Sequence, residues 1–352
     1  MFLRAKQDII GVDIGSSSIK LVHLREMKGG YALQSLGLAP LPVEAIVDNA
    51  IMDSGTVVTI LRNLVESHKV KTKNVATSVS GHSVIIRKIQ LPVMTEEEME
   101  ASIQWEAEQY IPFDISEVNI DFQILGPDAK DPGQMNVVLV AAKKDFVNDY
   151  LAVFHECGLD PKVMDVDCFA MENAFESNYP EENTPVLVLV NIGASAMNVN
   201  ILKDGVSVFT RDIQVGGNMF NDELQKRLGL SGEDAETAKL GGEVPEIDRE
   251  AVEEVLQDAA ESLAQEIQRS LDFFAATSAD ERVQKLFICG GGSRHPAVQE
   301  ALLRRLDIPV EVLDPFRGIV IDEKSFDLEY VQAVGPLMTV AVGLAMRRLG
   351  DK

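Results

Sequence analysis

The chain writes one pattern twice. Val12–Val22 reads VDIGSSSIKLV and Val190–Asn200 reads VNIGASAMNVN, so that Gly15 falls on Gly193, Ser17 on Ser195 and Asp13 on Asn191. In each copy an apolar run enters a glycine turn and a second apolar run leaves it, which predicts two strands joined by a tight turn. Such a turn offers unpaired backbone N–H groups and hydroxyls to an anion, a nest of the kind that holds phosphate. Asp13, at the end of the first strand, is placed to hold a magnesium ion through water, and Lys20 to reach back over the turn as a point charge on a phosphate. A polar hairpin is also a common structural element, and one copy leaves both readings open. Two copies predict two related lobes, each presenting a phosphate-gripping hairpin to a shared cleft. A third glycine turn, FICGGGS at 287–293, stands between a strand and a predicted helix.

Composition narrows the classes. A chain of 352 residues with 46% hydrophobic content builds two to four compact units. A net charge of −24 argues against nucleic acid or an anionic membrane surface as a direct partner. Cys157, Cys168 and Cys289 lie far apart with no CxxC, which suits a reducing cytosol. The start, MFLRAKQDIIG, is too short and too early broken for a signal peptide, and no run of about 18 apolar residues is expected to span a membrane. The histidines (His23, His68, His82, His155, His295) have no metal-ligand spacing, and neither GxSxG nor a P-loop GKS or GKT occurs.

In chain order, residues 8–39 read as a three-stranded meander, 56–68 as a helix and 74–80 as a strand. Residues 81–165 read as an insert with the order β-α-β-β-α-β, the split βαβ pattern of ferredoxin-like units. Its first helix opens with a Thr95/Glu98 capping box and buries Met99, Ile103, Ala107 and Tyr110. Trp105 falls off that stripe and is expected to pack at the helix edge. A short helix at 168–180 precedes the second hairpin, a third strand (206–212) and helices at 218–228, 231–240 and 248–276. A strand at 286–289 and a helix at 295–305 follow. Residues 306–333 have no clear pattern, and 335–349 read as a buried helix, apolar nearly all round.

The order of these motifs resembles that of the actin-like, Hsp70-like and sugar-kinase-like ATPase superfamily. Within it the chain is most similar to the PilM family of type IV pilus assembly, itself similar to the division protein FtsA. The resemblance rests on DIGSSSIKLV at 13–22, NIGASAMNV at 191–199, RDIQVGGNMFNDEL at 211–224, CGGGSRHPAVQEAL at 289–302, VAVGLAMRRLG at 340–350 and, most specifically, QWEAEQYIPFDISEV at 104–118. It implies an α/β, actin-like two-lobed fold, with duplicated RNase H-like lobes and an inserted ferredoxin-like α+β subdomain of the FtsA/PilM 1C type (SHS2). Residues 1–80, 166–183 and 334–352 would form the first lobe (1A), 81–165 the insert (1C), and 184–333 the second lobe (2A/2B).

The ligand this implies is ATP or ADP with Mg2+. A triphosphate carries about four negative charges, so in so acidic a chain its binding must come from amides, hydroxyls, one lysine and the metal. The candidates are Asp13, Gly15, Ser16, Ser17 and Lys20 in one grip, and Asn191, Gly193, Ala194 and Ser195 in the other. Gly216, Gly217 and Asn218 match the next motif of the superfamily, with Glu223 and Lys226 a helical turn further on as flanks of the nucleoside. Gly290, Gly291, Gly292 and Ser293 match its adenosine motif. Asp13 is the metal candidate; Asn191 replaces a commonly acidic residue, and its uncharged amide binds magnesium less well. Asp167 falls near the position expected to orient an attacking water, yet a helix N-cap before Cys168–Ala174 is the favoured reading of it. Nucleotide binding with slow or absent hydrolysis follows.

By resemblance to PilM, the chain would be a cytoplasmic scaffold recruited to the inner membrane. It would bind the N-terminal cytoplasmic tail of a PilN-type inner-membrane protein, in the groove between first lobe and insert, and link it to the pilus motor ATPases, with self-association left open. An FtsA-like filament protein is the second reading, disfavoured because the chain stops at RRLGDK, directly after its last core helix. A small-molecule kinase on the same fold is the third.

Overall fold

The computed structural model describes residues 8–128, 130–278 and 281–350. The first lobe opens with the meander β1 (Ile10–Ile14), β2 (Ser18–Met27) and β3 (Gly30–Pro40), followed by a small hairpin of β4 (Ile46–Val47) and β5 (Ala50–Ile51). Helix α1 (Ser54–Ser67) starts where the Asp53 carboxylate accepts from the Thr56 amide at 3.0 Å, and it turns Val57, Leu61 and Leu64 inward. Strand β6 (Asn74–Val79) then lies parallel to β1.

The insert follows as β7 (Val84–Pro92), α2 (Glu96–Ala107), β8 (Val118–Pro127) and β9 (Gln134–Lys143). Its sheet has the order β7-β9-β8, all antiparallel. The predicted capping box is present, and Met99, Ile103 and Ala107 seal α2 onto one sheet face. Tyr110 lies beyond the helix end and is partly exposed. Trp105 does not pack at the helix edge as expected: it is 75% exposed. The fourth strand of the expected β-α-β-β-α-β pattern is also elsewhere. After α3 (Lys144–Glu156), β10 (Asp160–Val166) joins the first-lobe sheet beside β6. Phe146, Tyr150 and Phe154 of α3 enter the first-lobe core, so apolar burial draws this end of the segment away from the three-stranded sheet.

After α4 (Asp167–Asn178), the second lobe comprises β11 (Val186–Ile192), β12 (Met197–Lys203), β13 (Val206–Ile213), α5 (Asn218–Leu228), α6 (Gly232–Lys239), α7 (Arg249–Thr277), β14 (Lys285–Cys289), α8 (Pro296–Arg305) and β15 (Val310–Val312). The segment without a clear pattern also supplies β16 (Ile319–Val320) and α9 (Leu328–Val334); a 3-10 turn at Gly335–Met338 then leads into α10 (Thr339–Ala345). The second sheet runs β13-β12-β11-β14-β15, and the first runs β10-β6-β1-β2-β3-β16. Each is an antiparallel meander whose first strand pairs in parallel with one later strand (β6 or β14), which in turn pairs in parallel with another (β10 or β15). The duplication seen in two short motifs therefore extends to both sheets.

Helix α10 is buried as predicted, but it is only part of the expected 335–349 element. It crosses α4 so closely that a Cβ on Gly343 would stand 1.7 Å from the Ala170 carbonyl oxygen, and one on Gly11 of β1 would meet the Ala341 carbonyl at 2.1 Å. The helical run Leu328–Ala345 is, against expectation, long and apolar enough to cross a membrane. Here its apolar residues, among them Val331, Val334 and Met338, pack into the core beneath β2 and β3.

Candidate functional site

Both hairpin turns close the same way. The Gly15 amide donates to the Ser18 carbonyl at 3.1 Å and the Gly193 amide to that of Ala196 at 2.9 Å. This leaves the Ser16, Ser17, Ala194 and Ser195 amides without a backbone acceptor among the described residues. The two turns face each other, the Ser195 hydroxyl donating to Ser16 Oγ at 2.8 Å. Register explains the charge beside them. Asp13 and Lys20 are direct cross-strand partners on β1 and β2, and Lys20 Nζ sits 3.1 Å from Asp13 Oδ2. The ammonium lies over the turn, where a Cβ on Gly15 would be 2.6 Å from it and would push the lysine tip aside.

The cleft between the lobes has a volume of about 1560 Å3 and is lined by Asp13, Gly15, Ser16, Ser17, Lys20, Asp167, Asn191, Gly193, Ala194, Ser195, Gly217, Asn218, Gly290, Gly291 and Gly292. Those sequence candidates, drawn from five segments, come together. Gly216 lies just behind them, packed on the second turn, where a Cβ would meet the Gly193 carbonyl at 2.5 Å. The next two amides, of Gly217 and Asn218, donate to the Gly193 and Ala194 carbonyls at 2.8 and 2.7 Å. This glycine motif thus braces the second hairpin with amides that an anion would otherwise use. Glu223 and Lys226 are outside the cleft lining; they pair with each other at 3.1 Å on α5, with Lys226 exposed. Ser293 is fully buried, its hydroxyl spent on the Gly290 carbonyl at 2.8 Å.

Asp167 is not a helix N-cap. Val166 holds that position, and Asp167, the first residue of α4, makes no capping bond. Its carboxylate instead accepts from the Ser78 hydroxyl at 2.6 Å and lines the cleft. Burial, reinforced by the negative charge of Asp13, pushes its pKa up to about 6. Asn191 is the first link of a hydrogen-bond chain beside the cleft. Its amide donates to Asn198 Oδ1 at 3.0 Å, and Asn198 donates to Asp212 at 2.8 Å. The Asp212 carboxylate also accepts from the Gly81 amide at 2.5 Å, tying the second lobe to the start of the insert. Among the described residues no group of three or more His, Cys, Asp or Glu side chains has the arrangement to hold a metal ion.

The far end of the cleft holds residues that motif spacing did not reveal: Asn221, Glu236, Lys239 and His295. Burial raises the pKa of Glu236, but Lys239 at 2.5 Å and the Asn221 amide at 2.7 Å outweigh it and hold Glu236 below its ordinary value. Asn221 Oδ1 is buried and has no partner among the described residues. His295 stacks on Phe220 with ring centroids 5.0 Å apart, and burial lowers its pKa, which favours the neutral ring. Their only sequence signal was proximity to the glycine motifs, since α6 and α5 meet through tertiary packing.

Residues 11–349 match the family described as type IV pilus assembly protein PilM. The chain belongs to the PilM family. A solved PilM-PilN type IV pilus biogenesis complex is 28% identical, over 99% of this chain and 100% of that one, with a TM-score of 0.87. The ethanolamine utilization protein EutJ from Carboxydothermus hydrogenoformans is 15% identical, over 96% and 88% of the two chains, with a TM-score of 0.57. MreB5 of Spiroplasma citri, solved bound to ADP, is 13% identical over 96% and 94%, with a TM-score of 0.53. Together with the duplicated sheets, these likenesses make the fold actin-like. The 104–118 motif forms the last turn of α2 and the loop leading into β8.

Proposed function

We propose that this PilM-family chain is a nucleotide-binding scaffold of type IV pilus assembly that holds the cytoplasmic N-terminal tail of a PilN-type inner-membrane protein. The observation that carries the partner is the 28% identity, end to end, with a PilM solved together with PilN. The tail would bind as an extended segment in the groove between first lobe and insert, partly by backbone pairing. Recruitment to the inner membrane, a link to motor ATPases and self-association belong to the same reading.

The cleft fits a nucleoside phosphate. Among the described residues, four amides lack backbone acceptors where the two turns meet, Lys20 adds one positive charge, and the Asn221 Oδ1, without a partner, offers an acceptor at the far end. Gly15, Ser16, Ser17 and Lys20 would hold phosphates from one side, and Gly193, Ala194 and Ser195 from the other. Gly291 would leave room for the nucleoside, while Gly290 and Gly292, packed on Ile192, would hold that turn in place. Asp13 would hold magnesium through water, and the ion would neutralise phosphate charge. With its pKa near 6, Asp167 is a base largely committed to Ser78, which supports slow or absent hydrolysis.

Calorimetry with Mg-ATP, with and without a synthetic N-terminal tail of the partner, tests both parts. Saturable binding of each, with little phosphate release, is expected. No tail binding would overturn the scaffold, and no nucleotide binding would reduce the hairpins to structural elements.

A further inference from the structure

The most exposed aromatic side chain of the described residues lies far from the cleft. Trp105, the one tryptophan of the chain, is 75% exposed on α2. Exposing an indole forgoes the burial of a large apolar surface, and Trp is enriched in the centres of protein interfaces. The helix presents it firmly. The Thr95/Glu98 capping box fixes its start, and Met99, Ile103 and Ala107 fix its opposite face on the insert sheet. The outward stripe reads Glu97, Ala101, Gln104, Trp105 and Glu108, all exposed and spaced so as to be neighbours on a helix surface. An aromatic centre is thus ringed by a small residue, an amide and two carboxylates.

The chain segment that forms this face carries one sign of charge, although Lys143 and Lys144 lie against the loop after α2, at Phe113 and Ser116. Between Lys88 and Lys130 the chain has ten carboxylates and no lysine, arginine or histidine. The first-turn glutamates answer the helix dipole, and Asp114 and Asp128 accept from turn amides; Glu106 and Glu108, at the helix end, have no such reason. We propose that this face of α2 docks a basic segment of a protein partner, with lysine or arginine side chains over the indole and beside Glu97 and Glu108. A second copy, itself at −24, brings like charge, and so does an anionic membrane. The opposite face of the insert sheet, through Val84 and Ala142, meets the first-lobe core. The docking face therefore points away from the groove assigned to the tail, and its occupant is a separate partner.

A photo-crosslinking amino acid at position 105 of the full chain in cells, with the same residue at the exposed Phe273 of the second lobe as control, tests this. The expected adduct forms at 105 and not at 273, and sequencing maps it to a partner segment carrying at least two lysine or arginine residues. That segment, synthesised, should shift the emission of Trp105, bind roughly tenfold more weakly to Trp105→Ala and to Glu97→Gln/Glu108→Gln, and weaken as salt rises. Trp105→Ala should leave the melting temperature and the affinity for the PilN-type tail unchanged, which separates this site from the tail groove. No adduct above the control, or one to a second copy, to lipid or to a segment without basic residues, would overturn the proposal.

Discussion

Replacing Gly216 with alanine tests whether the second glycine motif braces the phosphate hairpin. Gly216 does not have the left-handed backbone that would make any side chain strained, so space alone decides the outcome. A Cβ there would stand 2.5 Å from the Gly193 oxygen, 2.6 Å from the Ala194 oxygen and 2.8 Å from the Ala194 carbonyl carbon. All three are backbone atoms, and none can swing aside. Relieving the contact requires the turn and the start of α5 to part by roughly 0.8 Å. The 2.8 and 2.7 Å bonds from Gly217 and Asn218 then stretch out of range. Two bonds at about 1 kcal/mol each, plus about 1–3 kcal/mol for overpacking, give a loss of about 3–5 kcal/mol. Gly291→Ala is the matched control: its Cβ would meet nothing within 4 Å, so its effect should stay within about 0.5 kcal/mol. Urea unfolding followed by circular dichroism gives the stabilities, and calorimetry with Mg-ATP reads the hairpin. Gly216→Ala should also lose at least tenfold in nucleotide affinity. A variant within about 1 kcal/mol of the parent that binds nucleotide equally well would refute the bracing argument.

Three further outcomes follow from the cleft. The folded-state pKa of Asp167, about 6, lies above its ordinary 3.8, so its contribution to stability is full below about pH 4 and is lost as pH rises through 6. The parent should fall relative to Asp167→Asn by about 3 kcal/mol between pH 4 and 7, and parallel denaturation curves would count against it. Lys20→Ala removes the charge over the turn and leaves Asp13 without its partner; nucleotide affinity measured by calorimetry should drop at least tenfold, with about 1–2 kcal/mol of stability lost in urea. Asn191→Asp turns a carboxylate toward Asn198 Oδ1, which cannot flip without abandoning Asp212, so urea unfolding should show a loss of about 1–3 kcal/mol. Equal stability would mean that the Asn191–Asn198–Asp212 chain is slack.

What the sequence determined by itself was whatever is local or repeated. Alternating apolar runs around Gly15 and Gly193 dictate two hairpins, because backbone geometry allows few other ways to turn there. Thr95 with Glu98 sets the start of α2, and the stripe from Val252 to Phe274 sets the long helix α7. The same register logic put Lys20 beside Asp13. What only the tertiary structure decided depends on contacts between distant segments. β10 pairs with β6 because the apolar face of α3 belongs to the first-lobe core, a choice that strand order within the insert cannot express. Asp167 looks like a cap by its place before a helix, but it is turned to Ser78 by the neighbouring strand. Glu223 and Lys226 sit at the right distance along the chain but outside the cleft lining, while Asn221, Glu236 and Lys239 line it because α5 and α6 pack together. Spacing along a chain fixes which residues share an element; the burial of apolar faces fixes which elements meet, and therefore which polar groups share a cleft.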